Sequence, residues 1–309
     1  MKKISAIIAC YKDIEAIPIM HQRLVKTFKK IGINYEIIFV NDGSPDNTET
    51  VLKRLVSKDK NVIAINLSRN FTSQMAFTGG IDYAKGDAIV LLDGDLQDPP
   101  ELIEKFYEKW LEGYDVVYGE RVKRKAPFIM QFLYKLFYRI FHKLSYINIP
   151  HDAGDFSLMD KKVINVLKQF PERDRFLRGL RAWVGFKQIG VPYSRPDRMF
   201  GKSTNNLMKN FQWATKGIFS FTYVPLQMMT LLSLFVFFLS LIGIIIQIIL
   251  RLLIPSTPNG ITTVLVVVMF LGSIQLLGIS ILGEYIGKIF EEVKQRPKYV
   301  IKSIIKASK

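Results

Sequence analysis

The chain has 309 residues, a formal net charge of +16 and one cysteine, Cys10. That length exceeds one ordinary domain and predicts a large domain with an appendage. A single cysteine excludes an intrachain disulfide framework and agrees with a reduced compartment. The charge suits an anionic partner, a phosphorylated substrate or an anionic lipid. The basic residues follow the flanks of apolar segments, so nucleic acid is not expected as a partner.

At the N-terminus Lys2-Lys3 precedes a short apolar run that superficially resembles a signal sequence. The run ends within about seven residues at Lys12-Asp13, which predicts a first β-strand instead. Apolar runs at 3–9, 36–40, 62–67 and 88–92, rich in Ile and Val, read as buried strands. Helical patterns lie between them, near 14–30, 47–57 and 72–84. Asp46 with Glu49 makes a capping box. This βαβα order implies an α/β fold, a mostly parallel sheet covered by helices on both faces.

The fourth run closes in Asp93-Gly94-Asp95. Residues i and i+2 of an extended strand point to one side, so both carboxylates can face one hard cation. Open α/β sheets bind ligands beyond the carboxyl ends of their strands, where this pair falls. A metal held there neutralises a diphosphate leaving group. Asp98-Pro99-Pro100 then reads as an N-cap with prolines in the first turn, opening a helix to about Glu112 that Gly113 stops.

From Arg121 to His151 there is no acidic residue. Phe128, Phe132, Leu136, Phe137 and Ile140 recur at helical spacing, with Lys135, Arg139 and Lys143 on the other side. This predicts an amphipathic helix over about 127–146 lying in an anionic membrane surface. A second such stretch runs over 207–221. Residues 226–250 and 261–282 carry no charge and would span about 37 and 33 Å as helices. Both exceed the roughly 30 Å hydrocarbon core, which predicts two transmembrane helices joined by the short polar 255–260 link. Lys202, Lys209 and Lys216 precede them, and Lys288, Lys294, Arg296, Lys298, Lys302, Lys306 and Lys309 follow. This asymmetry predicts an integral protein of the cell membrane with both termini and the soluble domain cytoplasmic. The expected organisation is a catalytic domain over 1–203, a second juxtamembrane helix over 204–224, a transmembrane hairpin over 225–283 and a basic tail over 284–309.

The strand ends carry further candidates. After the first strand, Tyr11 can stack on a nucleobase and Asp13 can hold the ribose or a base edge. After the second, Asp42 of Asn41-Asp42-Gly43-Ser44 can accept a hydrogen bond from a base NH.

Together with Leu67-Ser68-Arg69-Asn70-Phe71, Asp93 through Glu101, Asp152-Ala153-Gly154-Asp155-Phe156, Arg198 through Ser203 and Gly283-Glu284-Tyr285-Ile286-Gly287, these residues resemble family 2 glycosyltransferases of the GT-A fold. More narrowly, the chain resembles polyprenyl-phosphate glycosyltransferases, the bacterial undecaprenyl-phosphate glucosyl and aminoarabinosyl transferases and dolichyl-phosphate mannose synthase. The resemblance covers essentially the whole chain. It departs at the start, where Ala9-Cys10-Tyr11-Lys12-Asp13 replaces the family's Pro-x-Tyr-Asn-Glu.

The resemblance implies a divalent cation, Mg²⁺ or Mn²⁺, held by Asp93, Asp95 and Gln97 on a nucleotide sugar, with UDP favoured. It implies acceptor-phosphate contacts from Arg121, Lys135, Arg198, Lys202 and Ser203, and self-association into a homo-oligomer. The acceptor would be a polyprenyl phosphate such as undecaprenyl phosphate. A phosphate monoester is largely ionised at neutral pH, its second pKa being ~6. Positioning and charge stabilisation must then do most of the catalysis. Asp155, then Asp152, are the residues expected beside the anomeric carbon, and direct attack predicts inversion there. The alternatives are a saccharide-extending membrane glycosyltransferase of the same fold and a non-catalytic, membrane-anchored lipid-binding scaffold.

Overall fold

The structure, a computed structural model, describes residues 2–122, 153–196, 199–200, 222–253 and 260–307. The helix expected over 127–146, the stretch at 207–221, and the candidates Lys135, Asp152, Arg198, Lys202 and Ser203 lie outside the described residues.

The N-terminal half alternates strand and helix as its hydrophobic pattern requires. β1 (Lys3–Cys10), α1 (Ala16–Ile31), β2 (Asn34–Asn41), α2 (Thr48–Lys58), β3 (Val62–Leu67), α3 (Ser73–Tyr83) and β4 (Ala88–Asp93) follow in order. A 3-10 turn at Pro100–Leu102 leads into α4 (Ile103–Leu111), then β5 (Val116–Arg121). After the undescribed stretch come β6 (Ala153–Asp160), α5 (Lys161–Gln169), α6 (Leu177–Trp183) and β7 (Gln188–Tyr193). Two long helices, α7 (Val224–Leu253) and α8 (Ile261–Val293), precede a last strand, β8 (Ile301–Lys306).

Among the described residues the strands form one sheet of order β7-β5-β6-β4-β1-β2-β3-β8. β1 pairs in parallel with both β2 and β4, and β2 with β3. β6 runs antiparallel between β4 and β5, and β7 is parallel to β5. The carboxyl ends of β1, β2, β3, β4, β5 and β7 and the amino end of β6 therefore share one edge.

Two cores follow from strand alternation. Ile4, Ala6 and Ile8 of β1 pack with Met20, Leu24 and Phe28 of α1, Leu52 of α2 and Phe106 of α4. Ile7 and Ala9 face the other way, onto Phe77 and Ile81 of α3, Val163 and Ile164 of α5 and Leu180 of α6. Burial of such side chains contributes roughly 1.5–3 kcal/mol each before chain entropy is counted.

Two helix starts differ from expectation. Asp46 accepts from the Thr48 amide at 3.1 Å and from the Thr48 and Ser44 hydroxyls, closing its own turn. Glu49 instead pairs with Lys302 at 3.0 Å and Lys53 at 3.2 Å, so no reciprocal capping box forms. Asp98 does not cap the turn after it. Its carboxylate accepts from the Tyr193 hydroxyl at 2.7 Å, a partner 95 residues away.

α7 and α8 are each long and apolar enough to cross a membrane, and the spans Val224–Gly243 and Val267–Val293 are not buried by the rest of the protein. The segment 284–309, expected as a basic tail, contains the last turns of α8 and all of β8. β8 pairs antiparallel with β3, Ile63 opposite Lys306 and Ile65 opposite Ile304. Asn66 Nδ2 donates to Ser303 Oγ at 3.0 Å, and Tyr299 Oη donates to Asp82 at 2.8 Å. Unpaired donors and acceptors on the outer edge of β3 give this segment its partner.

Candidate functional site at the carboxyl edge of the sheet

Leu91 of β4 pairs with Ser157 of β6. Two residues onward along β4 and two back along β6 preserve the face. Asp93 and Asp155 therefore leave the sheet on the same side, at the edge where the parallel strands end. The structure thus brings together Asp93, Asp95 and Asp155, which lie far apart in sequence.

The carboxylates crowd one another. Burial pushes the Asp93 carboxyl up to about 8, helped by the nearby charges of Asp98, Asp95 and Asp155 and opposed by Arg195. Its side chain is 36% open to solvent, so the neighbouring carboxylates carry much of that rise. Burial also raises Asp98, against the pull of Arg195, Arg121 and Tyr193. Arg195 Nη2 stands 3.8 Å from Asp95 Oδ2 and 4.0 Å from Asp93 Oδ2. Gln97 Nε2 donates to Pro196 O at 3.1 Å, leaving its amide oxygen as the atom able to reach a cation.

Among the described residues no group of three or more His, Cys, Asp or Glu side chains forms a cage for a metal. The donor set nonetheless fits a magnesium-type cation, which takes one or two carboxylates and completes its shell with substrate phosphates and water. Mutually repelling carboxylates on one face are the local chemistry that such an ion relieves.

Arg121, at the end of β5, joins the same edge. Its Nε donates to Tyr193 Oη at 3.3 Å, which links it through Tyr193 to Asp98. Burial works against its charge, yet Tyr193, Asp98 and Asp93 hold its pKa above the usual value. Its guanidinium lies over Gly154, where a Cβ would stand 2.9 Å from Nη2. A side chain at 154 would displace the arginine.

The ends of β1, β2 and β3 gather a neighbouring polar cluster. Asp13 accepts from the Tyr11 amide at 3.0 Å and Lys12 N donates to Ser44 Oγ at 2.8 Å. Asp42 accepts from the Phe71 amide at 2.7 Å, and burial raises its carboxyl to about 6 against the Phe71 and Thr72 amides and Arg69. Arg69 stacks over Phe71 at 4.0 Å. Lys12 (φ 61°), Thr72 (φ 81°) and Leu96 (φ 62°) are three of the four non-glycine residues with positive φ among the described residues. All three follow strands ending at this edge. Such backbone costs of order 1–3 kcal/mol per residue and persists where surrounding bonds hold it, commonly at functional sites.

Beside Asp155 lies a seam of polar groups, with Gln74, Arg175 and Arg181 buried and Arg178 partly exposed; the sequence shows 173–183 only as a basic helical stretch near the membrane and assigns none of its arginines. Gln74 Nε2 donates to Asp155 Oδ2 at 2.9 Å, and Arg178 Nη2 approaches the same oxygen at 3.5 Å. Arg181 is 2% exposed, and burial lowers its pKa to about 10 despite the Asp155 charge. The arginine-rich run 173–181 was the only sequence signal for this seam. Nothing local assigned its members, because their partners come from α3 and β6.

Comparison with known proteins bears on the same residues. The chain is 40% identical to the uncharacterized glycosyltransferase sll0501 of Synechocystis sp. over 303 residues, covering 98% of this chain and 95% of that protein. It is 40% identical to the uncharacterized glycosyltransferase YkcC of Bacillus subtilis, over 96% of this chain and 92% of the other. It is 39% identical to the SfII prophage-derived bactoprenol glucosyl transferase of Shigella flexneri, over 97% of each chain. The profile "Glycosyl transferase family 2" matches residues 5–167, from β1 into α5. That span includes every carboxylate gathered at the sheet edge, and the chain belongs to glycosyl transferase family 2.

Proposed function

We propose that this glycosyltransferase moves a sugar from a nucleoside-diphosphate donor, a UDP-sugar in the first instance, to a polyprenyl phosphate such as undecaprenyl phosphate. The observation that carries the reading is the convergence of Asp93, Asp95 and Asp155 with Arg121 and Arg195 at one sheet edge. It is supported by the name of the bactoprenol glucosyl transferase relative and by two helices suited to a membrane.

In this reading Tyr11, Asp13 and Asp42 hold the nucleoside. Asp93 and Asp95, with the amide oxygen of Gln97, hold a divalent cation, Mg²⁺ or Mn²⁺. Such an ion, when bound, offsets charge developing on the departing diphosphate. Arg121 faces phosphate, joined from outside the described residues by Lys135, Arg198, Lys202 and Ser203. An ionised acceptor phosphate needs no strong base, so Asp155 serves to orient the reacting groups, with Asp152, outside the described residues, as the second candidate. The acceptor oxygen forms its bond to the anomeric carbon as the bond to the diphosphate breaks, which inverts configuration. The catalytic domain would sit at the cytoplasmic face of the cell membrane, with α7 and α8 as its anchor; self-association is compatible with this arrangement.

Transfer from a panel of radiolabelled nucleotide sugars to undecaprenyl phosphate, by detergent-purified protein with Mg²⁺, Mn²⁺ or EDTA, tests the reading. A metal-dependent, acid-labile labelled lipid from one donor is expected. A folded protein that labels no lipid from any donor would move the saccharide-extending or scaffold role ahead.

A further inference from the structure

Gln74 sits in the first turn of α3 and is fully buried. Both ends of its amide are engaged. Nε2 donates to Asp155 Oδ2 at 2.9 Å, and Oε1 accepts from the Leu177 amide at 2.8 Å. The Leu177 N–H can only donate, so it fixes the orientation of the Gln74 amide and turns the NH2 toward Asp155. One turn along the same helix face, Thr78 Oγ1 meets Arg175 Nη1 at 3.5 Å. α3 thus grips the segment leading into α6 twice and, through Gln74, holds the β6 carboxylate at the first of those contacts.

The clamp is selective for one oxygen. Oδ2 of Asp155 receives both Gln74 and Arg178, whereas Oδ1 is buried and meets no hydrogen-bond partner among the described residues. A buried carboxylate oxygen without a donor is costly to keep, and this one belongs to a side chain at the same edge as Asp93. We propose that Gln74 is a positioning residue of the transfer reaction: it pins Asp155 through Oδ2 and so fixes where that carboxylate stands at the sheet edge. A neutral amide achieves this without adding a charge beside the carboxylates. A lysine or arginine would compete for Asp155, and a glutamate would repel it.

The inference rests on Asp155 working at the reaction centre, and the test separates the two. Initial rates are measured for the full-length wild type, Gln74→Leu, Gln74→Glu, Asp155→Asn and the Gln74→Leu/Asp155→Asn double variant. UDP-glucose, or the donor identified by the panel above, is used with undecaprenyl phosphate, and UDP binding is followed by calorimetry. Misplacing a reacting group by about an ångström costs on the order of 100-fold, so Gln74→Leu is expected to lower kcat about 10–100-fold. UDP affinity should not change, and the loss should vanish in the Asp155→Asn background. Gln74→Glu preserves volume and the bond from Leu177 while removing the donor to Asp155. It should show the same loss, and it decides the matter if Gln74→Leu does not fold. Losses that multiply in the double variant, or UDP binding that falls in parallel with kcat, would overturn the positioning role. An Asp155→Asn variant of full activity would remove the role of Asp155 itself and the inference with it.

Discussion

Arg195 places its Nη2 3.8 Å from Asp95 Oδ2, so a cation supplied by the protein stands against the carboxylate pair at the end of β4. The loop that carries it is fastened to the 93–98 loop at two further points, Tyr193 to Asp98 and Pro196 to Gln97. A metal approaching Asp93 and Asp95 therefore competes with a guanidinium already there. Replacing Arg195 with methionine is expected to tighten binding of Mn²⁺ alone by roughly tenfold, a ~1.4 kcal/mol difference. Electron paramagnetic titration of the nucleotide-free protein measures it. Unchanged or weaker Mn²⁺ binding would remove the competition.

Asp95→Asn and Asp155→Asn should fail in different ways. The first removes a ligand charge and should abolish metal-dependent tightening of UDP binding. The second should leave UDP binding intact and lower kcat on the order of 100-fold, the cost of misplacing a reacting group by about an ångström. Calorimetry beside steady-state rates separates them, and an identical pattern in both would merge the two assignments.

The Asp42 carboxyl, raised to about 6, gives a pH dependence with a definite sign. Its folded-state pKa lies above the unfolded value of about 3.9, so the folded state holds the proton more tightly. The stability contribution is greatest below about pH 4 and is lost as pH rises toward 6. Nucleotide binding should run the other way, weakening as pH falls through 6 because the acceptor for a base NH is protonated. Asp42→Asn should flatten both curves, read by thermal unfolding and UDP titration. A binding curve that keeps its acid limb in Asp42→Asn would assign that limb elsewhere.

Gly43 follows β2 with φ +60°, and a Cβ there would stand 2.6 Å from Arg69 Cα and 2.7 Å from Asn70 N. Left-handed backbone and a clash with main chain combine, so Gly43→Ala should cost about 2–4 kcal/mol. The displaced 69–72 loop carries the amide that Asp42 accepts, so UDP binding should weaken as well. A denaturation midpoint within error of wild type would contradict the packing.

The four N-terminal strands and the helices between them are legible because their periodicities differ and each run is bounded by turn residues. The Asp93 and Asp95 pair is legible as two carboxylates at the end of β4, although the strand ends at Asp93 and a turn, not the extended alternation expected, brings Asp95 beside it. Arg195 and Gln74 are not, since each acquires its role from residues 81 to 103 positions away in the chain. Asp98 looked like a cap because Pro99-Pro100 follows it, and tertiary contact with Tyr193 prevailed over the local pattern. β8 was hidden by its own composition: a short Lys-flanked strand after an apolar helix reads as tail until the open edge of β3 is known.

That last strand sets an order for biogenesis. A chain leaving the ribosome completes β1 through β7, then both long helices, before residues 301–306 exist to cover the outer edge of β3. Until then a strand with unpaired backbone groups stands exposed, open to pairing with another copy. Closure of the sheet is thus deferred until the apolar hairpin has been made, and a chain that stops short of β8 carries that open edge permanently.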